Sequence, residues 1–477
     1  MPADPHQQAG MASQSFLRRG AAVGWSGGPA RHRTFNDFLM EKAKMISVRQ
    51  FPALLAGASL SVAAFAQDIS ESIFRKAETY TVRVKSSVAV PFAGDTRGTT
   101  LGAGFIVDAG RGWVMTNAHV VSRSPARVQV AAHGKEFVSA RKVYVDPFLD
   151  LAVIEVLPEN SRLSTAAQLD CGDQPAMGHP VGAYGHPWRF YYTGTRGIIS
   201  GITSKYKTEY LQTDAPVDVG NSGGPLISLV TGKVVGINTA AMKEPKSKNT
   251  NFAVSMKYAC RVLELLQSGK DPSPPRLPIV FYRNLDGERT VKVARSLMPD
   301  SELALRGGQI IKSVEGAGSR IANPTQLVHA LRGRLETATV VVEEDNKERR
   351  ISGRLSPAEN VMLRRGIFVT GVLFATRDTL REVADIALPE IEVHYVEDGS
   401  TGQAAEIEAM DFLEEVDGKA VKELSELAAL LENAEKEKRP ALLTLRRFDL
   451  AGEIGMSSIE RRLQIEGLHW VSESTGR

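Results

Sequence analysis

Between residue 79 and about residue 237 the chain consists of short apolar runs separated by turns. The runs are rich in β-branched and aromatic residues, which favour strands, and the turns between them are rich in glycine. Many short strands of this kind are typical of a β-barrel or a β-sandwich. The predicted strands are TYTVRV, GAGFIV, GWVMT, RVQVAA, RKVYV, LAVIEV, VGAYG, GIISGI and VVGIN.

A helix is predicted next, at about 256–267, where MKYACRVLELLQ repeats its apolar residues at helical spacing. The proline-rich stretch that follows at 269–277, GKDPSPPRL, interrupts regular structure. It predicts a stiff linker and a domain boundary.

Beyond the linker one pattern occurs twice, about one domain length apart. Each copy has a strand, an acid-glycine turn, a short amphipathic helix and further strand-like sequence. Two small α/β modules are therefore predicted at 278–356 and 362–450, which leaves 451–477 as a C-terminal tail. The two copies are IIKSVEG (310–316) with LVHAL (327–331), and FLEEVDG (412–418) with LSELAALL (424–431).

The longest apolar stretch, FPALLAGASLSVAAFA at 51–66, follows several basic residues and ends in small residues. It predicts a secretory signal at about 45–66, since it is too short and too rich in small residues for a membrane-spanning helix. Residues 1–66 are accordingly read as an extension plus signal peptide, with Met45 as a natural initiator. Because arginine outnumbers acidic residues before residue 40, organelle targeting is the alternative.

The overall composition, 43% hydrophobic and 24% charged, is that of a globular protein, and 477 residues are too many for one core. The net charge is only +3, with 58 basic residues scattered among 55 acidic ones, so no nucleic-acid partner is predicted. The two cysteines cannot form a disulfide framework. A buried free thiol at Cys260 is expected, with a bridge to Cys171 as the alternative.

Residues 220–226, GNSGGPL, leave Ser222 among small, turn-forming neighbours. The letters also satisfy G-x-S-x-G, the strand-to-helix turn of the α/β-hydrolases. That turn needs a helix after the serine, whereas Gly-Gly-Pro is poor helix material. The next residues, LISLVTGKVVGIN, predict a β-hairpin instead. The α/β-hydrolase interpretation is therefore rejected.

Two further residues, which precede Ser222 in the chain, complete a catalytic set. TNAHVV places His119 just after a predicted strand, and DPFLDLAVIEV places Asp150 at the start of another, with Asp146 as a second acid nearby. The order His119, Asp150, Ser222 is that of the chymotrypsin architecture. His119 is the predicted base, because a serine hydroxyl needs an imidazole to take its proton. Asp150 is predicted to hold the imidazole ring and offset its charge.

The backbone of Gly220, Asn221 and Ser222 is the predicted oxyanion hole, with the N–H groups of Gly220 and Ser222 facing the developing charge. No acid marks the specificity pocket, since Pro216 stands where a trypsin has its aspartate. Pro216 with the small Ala240 and Ala241 predicts cleavage after small or aliphatic residues.

No metal or other cofactor is predicted. His179 and His186 lie seven residues apart without a cysteine or an acidic cluster to complete a metal site.

Five segments, GAGFIVDAGRGWVMTNAHVV, DPFLDLAVIEV, YLQTDAPVDVGNSGGPLI, VVGINTA and NFAVSM, together resemble the HtrA (Deg) family of trypsin-like serine proteases. The resemblance implies a mainly β fold, with a chymotrypsin-like double β-barrel protease domain at 67–268 followed by two small α+β PDZ-like domains. It puts catalysis on His119, Asp150 and Ser222. It also implies ATP-independent cleavage of unfolded polypeptides outside the cytoplasm, in the bacterial periplasm or after export elsewhere, usually by a trimer or larger homo-oligomer.

The repeats resemble the PDZ domains of that family, which capture peptide chain ends by adding a strand to a sheet edge. No carboxylate-binding loop is evident in the first repeat. RRGIFV at 364–369 is the candidate carboxylate-binding loop of the second repeat, with a strand that binds no ligand as the alternative. The leading interpretation is an exported serine endopeptidase of protein quality control, without a stable membrane span. The alternatives are a chaperone or scaffold with a latent protease domain, and a hydrolase of small esters.

Overall fold

The computed structural model defines the fold of most of the chain after residue 68. None of the helices in these described residues is both long and apolar enough to cross a membrane. The predicted signal peptide lies outside them. The described stretches are 69–157, 163–186, 192–204, 208–239, 250–282, 290–298, 302–318, 320–377, 388–449 and 455–473.

A helix at 69–80, α1, which the sequence pattern did not predict, leads into the first of two closed six-stranded barrels. Its strands are β1 (Thr81–Val88), β2 (Gly98–Asp108), β3 (Trp113–Thr116), β4 (Arg127–Ala132), β5 (Val138–Asp146) and β6 (Leu151–Val156). They pair in the order β1-β2-β3-β6-β5-β4, and β4 closes the barrel on β1. Within β1, Val82 and Val84 are buried while Arg83 and Lys85 are partly exposed. This period of two places one face of the strand in the core.

The second barrel pairs its strands in the order β10-β11-β12-β9-β8-β7. The predicted hairpin after Ser222 is confirmed, because β10 and β11 pair antiparallel. At Gly197 the backbone of β8 lies close to the backbone at Ala215, just after β9. A Cβ at Gly197 would lie 2.6 Å from the Cα of Ala215, so glycine is required there. The strands are β7 (Pro180–Gly185), β8 (Thr193–Thr203), β9 (Tyr210–Thr213), β10 (Pro225–Ser228), β11 (Val234–Thr239) and β12 (Asn251–Ser255).

The predicted helix is confirmed as α3 (Met256–Gln267), which packs its apolar face on the barrels. The expected free thiol on this helix is wrong. Cys260 forms a disulfide with Cys171, and their Cα atoms are 5.7 Å apart. The two cysteines are 89 residues apart in sequence, so no local pattern indicates that the fold brings them together.

The proline-rich segment is packed against the fold rather than extended into solvent. Pro272 and Ser273 are buried. Pro275 forms a β-bridge with Pro357, and the Arg276 N–H donates to the Ser356 carbonyl at 2.8 Å. The segment predicted as a spacer is therefore held on the module that follows it.

In its described residues, that first module is a five-stranded sheet with its strands in sequence order and one helix, α4 (Pro324–Leu331). The repeated pattern is confirmed here as strand, turn, helix and strand. Gly316 closes the acid-glycine turn at φ 72°, a conformation that favours glycine. The strands are β13 (Ile279–Phe281), β14 (Val291–Ser296), β15 (Ile310–Val314), β16 (Ala338–Glu344) and β17 (Lys347–Gly353).

The second module is an eight-stranded sheet with its own apolar core. The helices are α5 (Thr401–Ala404) and α6 (Leu424–Lys436), and the repeated pattern is again present. Gly418 takes the turn position at φ 73°. The strands are β18 (Arg365–Val369), β19 (Val372–Thr376), β20 (Ile391–Val396), β21 (Phe412–Val416), β22 (Lys419–Ala420), β23 (Pro440–Asp449), β24 (Gly455–Gln464) and β25 (His469–Ser472).

The predicted C-terminal tail from residue 451 is wrong, because it contains two strands of this sheet. β24 pairs with β23 along ten residues, and β25 pairs with β18. The pairing partner of β25 lies about one hundred residues earlier in the chain, so the repeat pattern alone could not reveal it.

Candidate active site

His119 lies on a single helical turn, α2 (Ala118–Val121), which directly follows β3. Asn117, at the start of this turn, donates its Nδ2 hydrogen to the Asp150 carbonyl at 2.9 Å. The turn therefore connects to the β5–β6 hairpin through the backbone of Asp150 itself. The sequence reasoning did not single out Asn117, although it lies in the same TNAHVV motif.

Asp150 and His119 form a direct pair. Nδ1 of His119 lies 2.9 Å from Oδ2 and 3.1 Å from Oδ1 of Asp150, and the His119 backbone N–H donates to Oδ1 at 3.1 Å. Thr239 at the end of β11 donates its hydroxyl to Oδ2 at 3.2 Å. With the Nδ1 hydrogen donated to the carboxylate, Nε2 is left to accept a proton. Thr239 lies in the VVGINTA segment but was not predicted as a site residue.

Asp150 adopts φ 54°, a left-handed conformation that is uncommon for residues other than glycine. Its side chain is only 17% exposed and that of His119 is 31% exposed. A strained, largely buried acid at this point must be held by its surroundings, and such conformations cluster at functional sites.

Ser222 follows a tight turn. The Asn221 N–H donates to the Asp218 carbonyl at 2.9 Å, and Gly220, the third residue of the turn, has φ 103°. A positive φ at the third position is the requirement of a type II turn. The Asn221 N–H is thus already hydrogen-bonded within the turn. No helix follows Ser222, because β10 begins at Pro225, which agrees with rejecting the α/β-hydrolase arrangement.

Both barrels hold the serine turn. The Ala103 N–H of β2 donates to the Ser222 carbonyl at 2.8 Å, and the Gly223 N–H donates to the Asn238 carbonyl of β11 at 2.9 Å. Gly223, at φ 86°, packs so closely on the Ala103 carbonyl and the Thr116 hydroxyl that a Cβ there would collide with both. Thr116 ends β3, the strand that directly precedes the helical turn with His119. The three predicted residues are therefore gathered where the two barrels meet.

Asp146, the second acid near Asp150, does not contact His119 through any hydrogen bond of the described residues. It is fully buried and accepts the backbone N–H groups of Phe148 at 2.9 Å and Leu149 at 3.0 Å. It thereby shapes the turn that ends at Asp150. Its charge partner is Arg332 of the first module, with Nη1 at 2.7 Å from Oδ2 and both side chains 0% exposed.

Arg332 is the residue that sequence reasoning missed altogether. It follows α4 directly, and its guanidinium also donates to the Pro272 carbonyl at 2.6 Å and to His329 Nδ1 at 3.2 Å. The ring of His329 stacks on Tyr258 of α3 with 3.9 Å between centroids. Burial, and then the Arg332 charge, hold the pKa of His329 well below its usual value. The sequence around Arg332 does not indicate that this arginine pairs with Asp146, about 180 residues earlier in the chain.

The remaining predicted residues occupy separate places. The Pro216 ring is exposed, and its carbonyl accepts the Thr195 hydroxyl at 2.7 Å. His179 contacts the Ser228 hydroxyl and His186 contacts the Gly102 carbonyl, each at 2.8 Å. Burial lowers the pKa of His186. Ala240 and Ala241 lie outside the described residues.

Residues 102–237 match the model of the trypsin-like peptidase domain. The chain is 28% identical over 379 residues to the probable periplasmic serine endoprotease DegP-like of Bartonella henselae, covering 73% of this chain and 72% of that protein. It is 37% identical over 259 residues to the periplasmic serine endoprotease DegP of Salmonella typhimurium, covering 50% of this chain and 52% of the relative.

A further relative, the serine protease Do-like HtrB of Bacillus subtilis, is 33% identical over 185 residues, covering 36% of this chain and 39% of the relative. Among solved structures, the serine endoprotease from Yersinia pestis aligns with a TM-score of 0.45 and 24% identity, covering 61% of this chain and 98% of that one. The matched part of this chain thus spans about half of the Salmonella relative and a larger share of the Bartonella one.

Proposed function

Because this chain is a trypsin-like serine protease of the HtrA/Deg type, we propose that it is an exported, ATP-independent endopeptidase that degrades unfolded or damaged polypeptides. The observation that carries the proposal is the His119–Asp150 hydrogen bond at 2.9 Å, at the junction of two barrels that also hold the Ser222 turn. The proposed role is protein quality control. The names of the relatives, periplasmic endoproteases, support export to the bacterial periplasm.

In this mechanism the Ser222 hydroxyl attacks the peptide carbonyl carbon while Nε2 of His119 takes its proton. Asp150, which accepts the Nδ1 hydrogen, holds the ring in the required tautomer and offsets the imidazolium charge. His119 then protonates the leaving amine, and water hydrolyses the acyl-enzyme by the same route. The Thr239 hydroxyl and the His119 backbone N–H keep the carboxylate in place.

The oxyanion donors are the backbone N–H groups of Gly220 and Ser222. The type II turn supports this role because a positive φ at Gly220 turns the preceding peptide outward, while Asn221 is used within the turn. Each such donor lowers the barrier by about 3 to 4 kcal/mol. The proposed preference is for small or aliphatic residues, since Pro216 supplies no charge to the pocket. The proposed working form is a homo-oligomer.

The deciding experiment incubates the purified chain with unfolded casein, beside Ser222→Ala and Ser139→Ala. Ser139 is an exposed serine of β5 and serves as the matched control. Cleavage is expected for the parent chain and for Ser139→Ala, and none for Ser222→Ala. Labelling with a fluorophosphonate should follow the same pattern. An intact, folded chain that binds casein without cleaving it would instead support the chaperone or scaffold interpretation.

A further inference from the structure

The last described strand of the chain, β25, lies along one edge of the second module. It pairs antiparallel with β18, with Arg365 opposite Ser472 and Phe368 opposite His469. On its other side β18 pairs with β19. Without β25, β18 would therefore be an edge strand whose backbone could pair with another extended chain.

Helix α6 borders the same segment. The Gly467 N–H donates to Oε1 of Glu435, near the C-terminal end of α6, at 2.7 Å. Three residues later, Trp470 lines a cavity of about 460 Å³ together with Leu424 at the N-terminal end of the helix. The segment thus runs antiparallel to α6, in a groove between the helix and β18.

Three side chains of the segment pack in two apolar environments, whereas His469 is exposed. Leu468 and Trp470 pack on the core of the second module. Val471 is 7% exposed and joins a cluster with Leu373 and with Phe92, which lies between β1 and β2 of the first barrel. The guanidinium of Arg365 lies 4.3 Å from the centroid of the Trp470 ring. An edge pairing combined with pockets for alternate side chains is how strand-addition sites bind peptides.

The residue after β25 is bound by the protease domain. Oε2 of Glu473 lies 3.2 Å from Nζ of Lys142, whose side chain is 1% exposed. Lys142 also donates to the Ser124 carbonyl at 2.6 Å. The segment is therefore held by the second module along its length and by the first barrel at Val471 and Glu473.

The resemblance to PDZ domains implies peptide capture along β18. We propose that the occupant of the groove between β18 and α6 is the chain's own segment 467–473. The ligand class is an extended peptide with an aromatic residue followed by an aliphatic one, with an acidic residue two positions later. While the segment is in place, the second module takes no other chain end. This inference deepens the peptide capture that the resemblance implies for the repeats, and it does not depend on proteolysis.

The test measures binding of a fluorescent peptide, GLHWVSE, which copies residues 467–473. The proteins are the full chain and a chain that ends after Glu466, both with Ser222→Ala so that the peptide is not cleaved. The shortened chain is expected to bind at least about tenfold more tightly than the full chain, because an occupied site is available only in the fraction of molecules whose own segment has left it. The same peptide with alanine at the positions of Trp470 and Val471 should not bind.

A shortened chain that is folded by circular dichroism, yet binds the peptide no better than the full chain does, would overturn the proposal. If the shortened chain does not fold, the full chain with Trp470→Ala and Val471→Ala replaces it, and hydrogen exchange of the residue 365–369 amides is followed. Those amides should exchange faster in the variant and regain protection when peptide is added. Unchanged exchange would also overturn the proposal. A failure of the casein experiment would contradict the protease function and leave this result untouched.

Discussion

Replacing Arg332 with methionine tests whether the first module supports the geometry of the acid in the active site. The guanidinium pairs with Asp146 at 2.7 Å, and both side chains are fully buried. Methionine fills a similar volume but leaves the carboxylate without its charge partner. Removing one member of a buried ion pair costs about 3 to 5 kcal/mol, because the remaining charge cannot return to water. The variant should lose that much of the free energy of unfolding.

The same change should slow proteolysis more than the loss of stability explains. Asp146 holds the N–H groups of Phe148 and Leu149, the two residues immediately before Asp150. When its partner is lost, this turn loosens and the carboxylate of Asp150 is less well aligned with His119. At a temperature where the variant remains folded, kcat for casein should fall while KM stays near the parent value.

Urea unfolding and casein turnover measure both effects, and Arg350→Met is the matched control. Arg350 is 77% exposed and pairs with Glu315 on the surface, so its loss should cost no more than about 1 kcal/mol. Asp146→Asn, alone and combined with Arg332→Met, completes a double-mutant cycle. A coupling energy near zero, or an Arg332→Met variant as stable and active as the control, would refute the reasoning.

Three further outcomes are expected. Burial depresses the pKa of His329 well below its usual value, so on acidification the unfolded state binds a proton that the folded state does not. The free energy of unfolding should therefore fall as the pH drops below about 6.5, by up to about 1.4 kcal/mol per pH unit. Urea unfolding at several pH values should show a shallower fall for His329→Gln. The disulfide closes a loop of 89 residues, so replacing Cys171 and Cys260 with serine should lower the free energy of unfolding by about 2 to 4 kcal/mol. Gly223→Ala forces a Cβ into the Thr116 hydroxyl, and casein cleavage should be lost even where circular dichroism shows a folded chain.

Patterns within short stretches were enough to predict several elements. The helix at 256–267 and the hairpin after Ser222 were both predicted, because helical period and turn residues are properties of neighbouring residues. The strand, turn, helix and strand of each repeat were predicted for the same reason. His119 and Asp150 were found because each lies beside a predicted strand in a known chain order, and the structure places them within hydrogen-bond distance.

The sequence by itself thus determined most of the barrel strands, the repeats and the candidate catalytic residues, whereas β9 and β12 were not among the predicted strands. Only the tertiary structure decided which distant residues meet: Arg332 with Asp146, Cys260 with Cys171, and β25 with β18. Each of these contacts joins segments more than 80 residues apart. Periodicity and turn chemistry act over a few residues, whereas burial of a charge or filling of a sheet edge depends on how whole domains pack. That is why these long-range contacts appear only in the folded chain.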